Sequence, residues 1–107
     1  MTVLDTAIDR YFSATNARNN QLAAECFDPD ASVFDEGRQL TGLESIRHWL
    51  QHTQQKYQPE VQVLTAQRSY GEVWVKTRVS GSFQGSPVQL HYVFALQDGK
   101  ISRLMIR

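Results

Sequence analysis

The chain has 107 residues, and its eleven basic and eleven acidic side chains cancel to a formal net charge of zero. This length fits one compact domain over residues 1–107. No block of like charge occurs, which argues against a partner such as nucleic acid or an anionic membrane. The single cysteine, Cys26, cannot form an internal disulfide. No signal-like segment opens the chain and no apolar run approaches the ~20 residues of a spanning helix, so we expect a cytoplasmic protein.

The first quarter of the sequence predicts two helices. Between Val3 and Ala17 the apolar residues follow the i, i+3, i+4, i+7 spacing of an amphipathic helix, and Thr2 is its predicted cap. Asn19 or Asn20 is expected to cap a second, shorter helix, which Asp28–Pro29 would end.

A short strand that ends in an acid comes next. Residues Asp30–Asp35 predict a strand that runs into a turn at Glu36–Gly37. Side chains alternate between the faces of a strand, so Asp35 shares an apolar face with Ala31 and Val33. A carboxylate in that position must be hydrogen-bonded, paired with a cation or held at a raised pKa, because an unpartnered buried charge is costly.

A third helix and further strands complete the chain. Residues Arg38–Leu40 are predicted to pair back on the first strand. The segment Thr41–Glu44 has the S/T-x-x-E form of a capping box, so a helix should begin near Gly42 and end at Pro59. The remainder predicts an antiparallel meander of four strands, which are Val61–Ser69, Val73–Phe83, Val88–Leu96 and Ile101–Ile106.

Helices that precede strands favour an α+β fold, with three N-terminal helices packed on one face of a curved sheet. The opposite, outer face of the sheet should carry Trp74, Val93 and Ala95 beside charged residues. This face is more aromatic than full solvation requires. Because exposed apolar patches are often interfaces, we expect a homodimer through the outer sheet face.

Several segments together carry a family likeness. They are Arg10–Asn19, Phe27–Ala31, Val33–Asp35 and Phe94–Ile101, with Gly42, Ile46 and Trp49 between them. In this order they resemble the SnoaL-like, ketosteroid isomerase-like branch of the NTF2-like superfamily over essentially the whole chain. The resemblance implies a conical α+β barrel, in which three helices close over a strongly curved, mainly antiparallel mixed sheet around a hydrophobic pocket. It leaves the activity open, since members include isomerases, polyketide cyclases, dehydratases, hydrolases and noncatalytic binding proteins.

The resemblance also implies roles for individual residues. In ketosteroid isomerases an Arg-Tyr pair of the first helix supplies a phenol to the oxyanion hole, and Tyr11 matches that tyrosine. The Val-x-Asp at the end of the first strand supplies the general base, and Asp35 matches it. A third group, a protonated aspartic acid, should fall near residues 90–92, where no acid stands; Tyr92 is a candidate replacement donor. The predicted substrate-binding residues are Phe12, Trp49, Tyr57, Tyr92, Phe94 and Met105.

Each of these candidates has a structural alternative. Asp35 could accept hydrogen bonds from the backbone N–H groups of its own turn, as aspartate often does. Tyr11 and the other aromatic candidates could be ordinary core side chains. The sequence is therefore compatible with two structural hypotheses. One is an open pocket that holds an acid, and the other is a cone that is filled by its own side chains.

Neither a metal nor a cofactor is expected. Glu44, His48 and His52 repeat every four residues along the third helix, which is a possible metal-ligand spacing. The same helix face carries Gln51 and Gln55, so we interpret it as a solvated face. No nucleophile arrangement, phosphate-binding glycine loop or dinucleotide fingerprint occurs in the sequence.

The leading hypothesis is a pocket protein that binds a small hydrophobic carbonyl compound and isomerises, cyclises or dehydrates it, with Asp35 as base and Tyr11 as donor. The rival hypothesis is a noncatalytic ligand-binding or dimerisation module of the same fold.

Overall fold

The computed structural model describes residues 4–107, and this part of the chain forms three helices and six strands. In chain order they are α1 (Thr6–Asn16), α2 (Asn20–Glu25), β1 (Phe27–Asp35), β2 (Arg38–Thr41), α3 (Leu43–Tyr57), β3 (Glu60–Ser69), β4 (Glu72–Ser80), β5 (Val88–Gln97) and β6 (Lys100–Ile106). Thr2 and Val3, the predicted start of the first helix, lie outside the described residues, and α1 begins after Asp5. None of the helices within residues 4–107 is both long enough and apolar enough to cross a bilayer.

The two N-terminal helices follow their predicted apolar pattern. α1 buries the stripe that contains Ile8, Tyr11 and Phe12. Asn19 is the cap of α2, because its side chain accepts a hydrogen bond of 3.0 Å from the backbone N–H of Leu22. The prediction that Asp28–Pro29 ends this helix is wrong, since both residues belong to β1.

The early end of α2 has a tertiary cause. The carbonyl of Cys26 accepts a hydrogen bond of 2.8 Å from the backbone N–H of Ile101. Phe27 then pairs with Ile101 in a parallel ladder between β1 and β6. The chain therefore leaves the helix directly into the sheet, before the proline is reached.

The third helix begins and ends near the predicted residues, but the predicted capping box does not form. Gly42 is the N-cap, and no side chain makes a capping hydrogen bond there. Thr41 instead pairs with Ser32 as the last residue of β2, so its backbone already belongs to the sheet. At the other end, Gln58 adopts a left-handed conformation with φ 48° and closes the helix immediately before Pro59.

The six strands form one mixed sheet in the order β2-β1-β6-β5-β4-β3. Only β1 and β6 are parallel, and every other neighbouring pair is antiparallel. Irregular pairing occurs between β1 and β6, between β3 and β4 and between β5 and β6, and such bulges bend a sheet. The predicted α+β cone with three helices on a mainly antiparallel sheet is confirmed. The cone is open and not a closed barrel, because β2 and β3 are edges of the sheet in the described chain.

Strand β4 is shorter than predicted. It ends at Ser80, and Phe83 lies in the connection to β5. The cause is the close approach of that connection to the end of α3, where the backbone N–H of Ser82 donates a hydrogen bond of 2.7 Å to the carbonyl of Tyr57. A Cβ atom at Gly81 would overlap the same carbonyl, so this position requires glycine.

The inner face of the sheet, which contacts the helices, holds the core. In β4 the buried residues alternate as Val73, Val75, Thr77 and Val79, as the pattern predicted. A cluster of five aromatic rings fills the space between α1 and the sheet, with neighbouring ring centroids 5.1 to 6.4 Å apart. Its members are Tyr11, Phe12, Phe27, Tyr92 and Phe94, and all are buried. We call these five residues the aromatic cluster.

Candidate functional site

A cavity of about 570 Å3 lies beside the aromatic cluster, between α1, α3 and the inner face of the sheet. Such a volume lies in the range of small-molecule sites. The cone is therefore open at this end, and the hypothesis of a completely filled cone is not met by the structure. Its wall includes the acid Asp35, the phenols Tyr11, Tyr57 and Tyr92, and the indole of Trp49.

Asp35 is the last residue of β1 and is half-buried. As predicted, its alternation with buried Ala31 and Val33 directs it to the inner face. The indole Nε1–H of Trp49 donates a hydrogen bond of 3.0 Å to Oδ2 of the carboxylate. The main partner of this acid is thus a side chain of α3, and the backbone N–H of Glu36 in its own turn makes a smaller contribution.

The protonation of Asp35 is set by opposing effects. Burial raises the pKa of the carboxyl group above its ordinary value, since a charged form is disfavoured away from water. The hydrogen bond from Trp49 opposes this by stabilising the carboxylate, while the neighbouring charge of Glu36 raises the pKa further. The net effect is a raised pKa of Asp35. A raised pKa suits a carboxyl group that first accepts a proton from a substrate and then returns it near neutral pH.

Two phenols lie at the boundary between the aromatic cluster and the cavity. Tyr11 and Tyr92 are 3% and 6% exposed, and their ring centroids are 6.4 Å apart. Burial raises the pKa of both hydroxyl groups, and the negative charge of Asp35 adds to the effect. Both phenols therefore remain protonated and can donate hydrogen bonds into the cavity. In the described part of the chain, neither hydroxyl is bonded directly to Asp35.

The mouth of the cavity is formed by three separate elements. The hydroxyl of Tyr57, at the end of α3, donates a short hydrogen bond to the carboxylate of Glu36 in the β1–β2 turn. Phe83 of the β4–β5 connection packs edge-on against the Tyr57 ring at a centroid distance of 5.9 Å. Glu36 and Gly37 form the tight β1–β2 turn with positive φ angles, and both residues line the cavity.

The charges around the cavity are unequal. Asp35 and Glu36 contribute two carboxylates to its wall, and Arg107 is the basic residue on the part of the wall that the structure describes. The guanidinium of Arg107 lies over the ring of Trp74 at 5.4 Å and contacts the sulfur of Met105, both outside the cavity. The interior therefore combines acids, phenols and apolar groups, which favours an uncharged ligand over an anionic one.

Not all of the predicted substrate-binding residues reach this cavity. Trp49, Tyr57 and Tyr92 line it together with Tyr11 and Asp35. Phe12 and Phe94 are buried in the aromatic cluster, where they are 4% and 0% exposed. Met105 alternates with the buried residues Leu104 and Ile106 and so lies on the outer face of the sheet. The structure thus gives Phe12, Phe94 and Met105 no place on the cavity wall.

Some site features were missed by the sequence analysis. The hydrogen bond between Trp49 and Asp35 joins residues that are 14 positions apart and belong to different elements. The sequence predicts only a turn at Glu36 and a strand that includes Phe83. Leu90 lies on the wall beside Tyr92, where the resemblance to ketosteroid isomerases implies an acid. An aromatic residue in a glycine-flanked connection, such as Phe83, was the one local signal for a residue at the mouth.

The helix face considered as a possible metal site is exposed. Glu44, His48 and His52 all lie on the solvent side of α3. Among residues 4–107, no three metal-ligating side chains converge on one point.

Comparison with known proteins agrees with this architecture. A protein proposed to be a polyketide cyclase from Sinorhizobium meliloti superimposes with a TM-score of 0.93 at 34% identity, over 97% of this chain and 95% of that one. A protein with a ketosteroid isomerase-like fold from Catenulispora acidiphila gives a TM-score of 0.85 at 18% identity, over 98% and 86% of the two chains. An LEH-like epoxide hydrolase from M. tuberculosis gives 0.79 at 16% identity, over 95% and 79%.

The more distant of these similarities concern the fold alone, whereas the sequence itself identifies the family. No functionally curated protein matches the chain significantly. The model of the SnoaL-like domain family matches residues 8–104, a range that begins within α1 and ends within β6. From this match, and from the cone with its inward Asp35 and Tyr11, we conclude that the chain belongs to the SnoaL-like domain family.

Proposed function

We propose that this protein binds an uncharged, hydrophobic carbonyl compound in the cavity and isomerises, cyclises or dehydrates it by acid–base chemistry without a cofactor. The observation that supports the proposal is an acid with a raised pKa on the same cavity wall as two protonated phenols. Enolisation requires two groups, which are a base whose pKa is raised towards the working pH and a hydrogen-bond donor for the developing oxyanion. The shortage of cationic groups on the cavity wall disfavours an anionic substrate.

The reaction would begin with the transfer of a proton from the carbon next to the carbonyl group to a carboxylate oxygen of Asp35. The electron pair of the broken C–H bond moves into an enolate, whose oxygen accepts a hydrogen bond from Tyr11. The protonated Asp35 then returns its proton. Return to a different carbon completes an isomerisation, and return to a leaving hydroxyl group releases water. In a cyclisation, the enolate carbon attacks a second carbonyl and the new alkoxide takes the proton.

The substitution Asp35→Asn tests the catalytic role. A substrate would first be identified by mass spectrometry of ligands that remain bound during purification, followed by a turnover assay on the released compound and its chemical relatives. Removal of the base should lower kcat by about 10²–10⁴-fold. Asp30→Asn is the matched control, since Asp30 is exposed on the same strand. Unchanged turnover in folded Asp35→Asn would contradict the proposal.

A noncatalytic binding module is the second candidate function. It is favoured by the absence of a direct hydrogen bond between Asp35 and a phenol in the described chain, and by Leu90 where ketosteroid isomerases are implied to carry an acid. In that case the copurified ligand would be recovered chemically unchanged after prolonged incubation. Its affinity would still fall when the cavity wall is altered at Trp49 or Tyr92.

We also propose that the protein is a homodimer that buries the outer face of the sheet. Four residues in register form an apolar row across four adjacent strands. They are Phe34, Met105, Val93 and Trp74, paired in that order, and we call them the outer row. Val93 is already buried within the subunit, so the other three residues provide the surface for a partner. Phe34 is a large apolar side chain that remains 40% exposed in the subunit. Exposed apolar patches often mark interfaces between proteins.

The dimer can be tested by light scattering coupled to gel filtration. Phe34→Asp places a charge at the most exposed side chain of the outer row and should yield monomers, because burying an unpaired charge at an interface is unfavourable. His48→Asp is the control, since His48 is exposed on the solvent side of α3 and not on the sheet. A wild-type protein that stays monomeric at high concentration would contradict this assembly.

A further inference from the structure

We infer that Trp49 is a positioning residue, whose indole N–H holds one oxygen of the Asp35 carboxylate and leaves the other oxygen directed to the ligand. The observation is the hydrogen bond of 3.0 Å from Nε1 of Trp49 to Oδ2 of Asp35, between two residues that line the same cavity. The inference rests on the proposed function for the identity of the base. It adds the group that fixes the geometry of that base.

The sheet alone does not fix the Asp35 side chain. Asp35 is the last residue of β1, and its register partner in β2 is Arg38, directly across the turn. The parallel ladder with β6 has already ended one residue earlier, at the pair of Phe34 and Met105. The backbone of Asp35 is therefore paired on one side only. The backbone N–H of Glu36 contributes weakly to holding the carboxylate, and a donor from another element strengthens its orientation.

Trp49 is well placed to supply that support. It lies next to Leu50 and three residues after Ile46, and these two residues anchor α3 to the core at 4% and 0% exposure. The hydroxyl of Thr53 donates to the carbonyl of Trp49 at 3.0 Å, one helical turn later. An indole has one donor and no acceptor, so its single N–H can bind only the ionised or carbonyl-like oxygen of Asp35. The contact favours the carboxylate form, which is the form that can accept a proton.

The other titratable groups near Asp35 do not duplicate this contact. Tyr11 of α1 and Tyr92 of β5 face the same cavity, and in the described chain they form no hydrogen bond with the carboxylate. Glu36 of the adjoining turn is itself an acid and is bonded to Tyr57. Arg38 lies opposite Asp35 in β2 but is exposed. Trp49 is thus the side-chain donor to Asp35 within residues 4–107.

The test measures the titration of Asp35 by NMR of protein labelled with 13C at aspartate carboxyl groups, with Asp35→Asn used to assign its signal. Trp49→Phe should raise the pKa of Asp35 by about one unit, a tenfold change in the protonation equilibrium, because a hydrogen bond to the charged form is lost. Trp74→Phe is the matched control, since Trp74 is the second of the two tryptophans and lies in the outer row. It should leave the titration of Asp35 unchanged.

A second variant separates the hydrogen bond from the packing of the ring. Phenylalanine is smaller than tryptophan and admits water, which by itself would lower the pKa of Asp35 and mask the effect. In the Trp74→Phe background Trp49 is the sole tryptophan, so biosynthetic replacement of tryptophan by benzothienylalanine removes the N–H and keeps the ring shape. This protein should show the same upward shift. An unchanged titration curve in the folded benzothienylalanine protein would overturn the inference.

Turnover then distinguishes this inference from the proposed function. If both hold, the acid limb of the kcat/KM profile should move to higher pH in the benzothienylalanine protein by the same amount as the NMR titration. If Asp35→Asn leaves turnover unchanged while the titration still shifts, the proposed function fails and the contact between Trp49 and Asp35 stands. If the titration does not shift, the positioning role fails whatever the activity of Asp35→Asn.

Discussion

The two ends of the cone are built from similar residues and differ in how completely they are packed. At the closed end, the rings of the aromatic cluster pack against each other between α1 and the sheet, and Phe94 is completely buried. At the open end, Trp49, Tyr57 and Phe83 surround a cavity of about 570 Å3. Aromatic content alone therefore does not decide whether a cone of this kind is filled.

The boundary between the two ends is formed by Tyr11 and Tyr92. Each belongs to the aromatic cluster through its ring and to the cavity wall as well. A phenol suits this position, because its ring gains from burial and its hydroxyl gains from a polar neighbour. The rings of Tyr11 and Tyr92 thus complete the core, and their hydroxyl groups provide hydrogen-bond donors to the site.

The largest expected effect sharpens this comparison directly. Phe94→Ala removes a fully buried ring from the closed end and should lower the free energy of unfolding by about 3–5 kcal/mol. Phe83→Ala removes a ring of the same type from the mouth, where the side chain is only half-buried. This variant should lose clearly less free energy of unfolding than Phe94→Ala. Urea unfolding of the two variants measures the difference. Equal losses would show that the two ends are packed equally well.

The boundary phenols should matter more for activity than for folding. Tyr11→Phe removes the proposed oxyanion donor and should lower kcat by about 10²-fold, with little change in thermal stability. Tyr92→Phe removes the second hydroxyl on the wall and should have a smaller effect. Once a substrate is identified, steady-state kinetics of both variants will test this order. A larger loss in Tyr92→Phe would transfer the main donor role to Tyr92.

A substitution at Gly81, in the β4–β5 connection beside the mouth of the cavity, should lower the stability of the protein. Gly81→Ala forces a Cβ atom against the carbonyl of Tyr57, so the β4–β5 connection must move away from α3. We expect a loss of about 1–3 kcal/mol in the free energy of unfolding, as in other overpacked sites. Gly85→Ala is a contrasting variant, because a Cβ atom there meets open space and only the positive φ of 91° opposes it. Urea denaturation of both proteins distinguishes contact from backbone strain.

The smallest expected effect concerns the acid itself. The folded protein binds the proton of Asp35 more tightly than the unfolded chain, because its pKa is raised by burial. The resulting stabilisation is present below the ordinary pKa and is lost as the pH rises through the raised pKa. Asp35→Asn should therefore increase the melting temperature at neutral pH by a few degrees, and the gain should disappear in acid.

Thermal melts across the acidic and neutral range, with Asp30→Asn as control, measure this dependence. A site that is kept at a cost in stability is expected of a functional group in a cavity. If Asp35→Asn instead lowers the melting temperature at neutral pH, the hydrogen bond from Trp49 outweighs the burial of the charge.

Much of the local architecture was predictable from the sequence. The alternation in β4 and the helical spacing in α1 each assigned buried faces that the structure confirms. The errors lie where tertiary contacts compete with local signals. Thr41 looked like a helix cap but pairs in β2, and Asp28–Pro29 looked like a helix stop but belongs to β1. In both cases strand pairing outweighed the local signal. Thr41 pairs with the preceding strand β1, and the start of β1 pairs with the distant strand β6.

For the candidate site, the sequence by itself determined the kind of groups that are present and the faces to which they point. Strand alternation depends only on the backbone, so the inward direction of Asp35 could be predicted without knowledge of its surroundings. The tertiary structure alone decided which ring fills the core, which lines the cavity, and that Trp49 binds Asp35. Those outcomes depend on the distance between elements far apart in the chain, and that distance is set by the packing of all their side chains together.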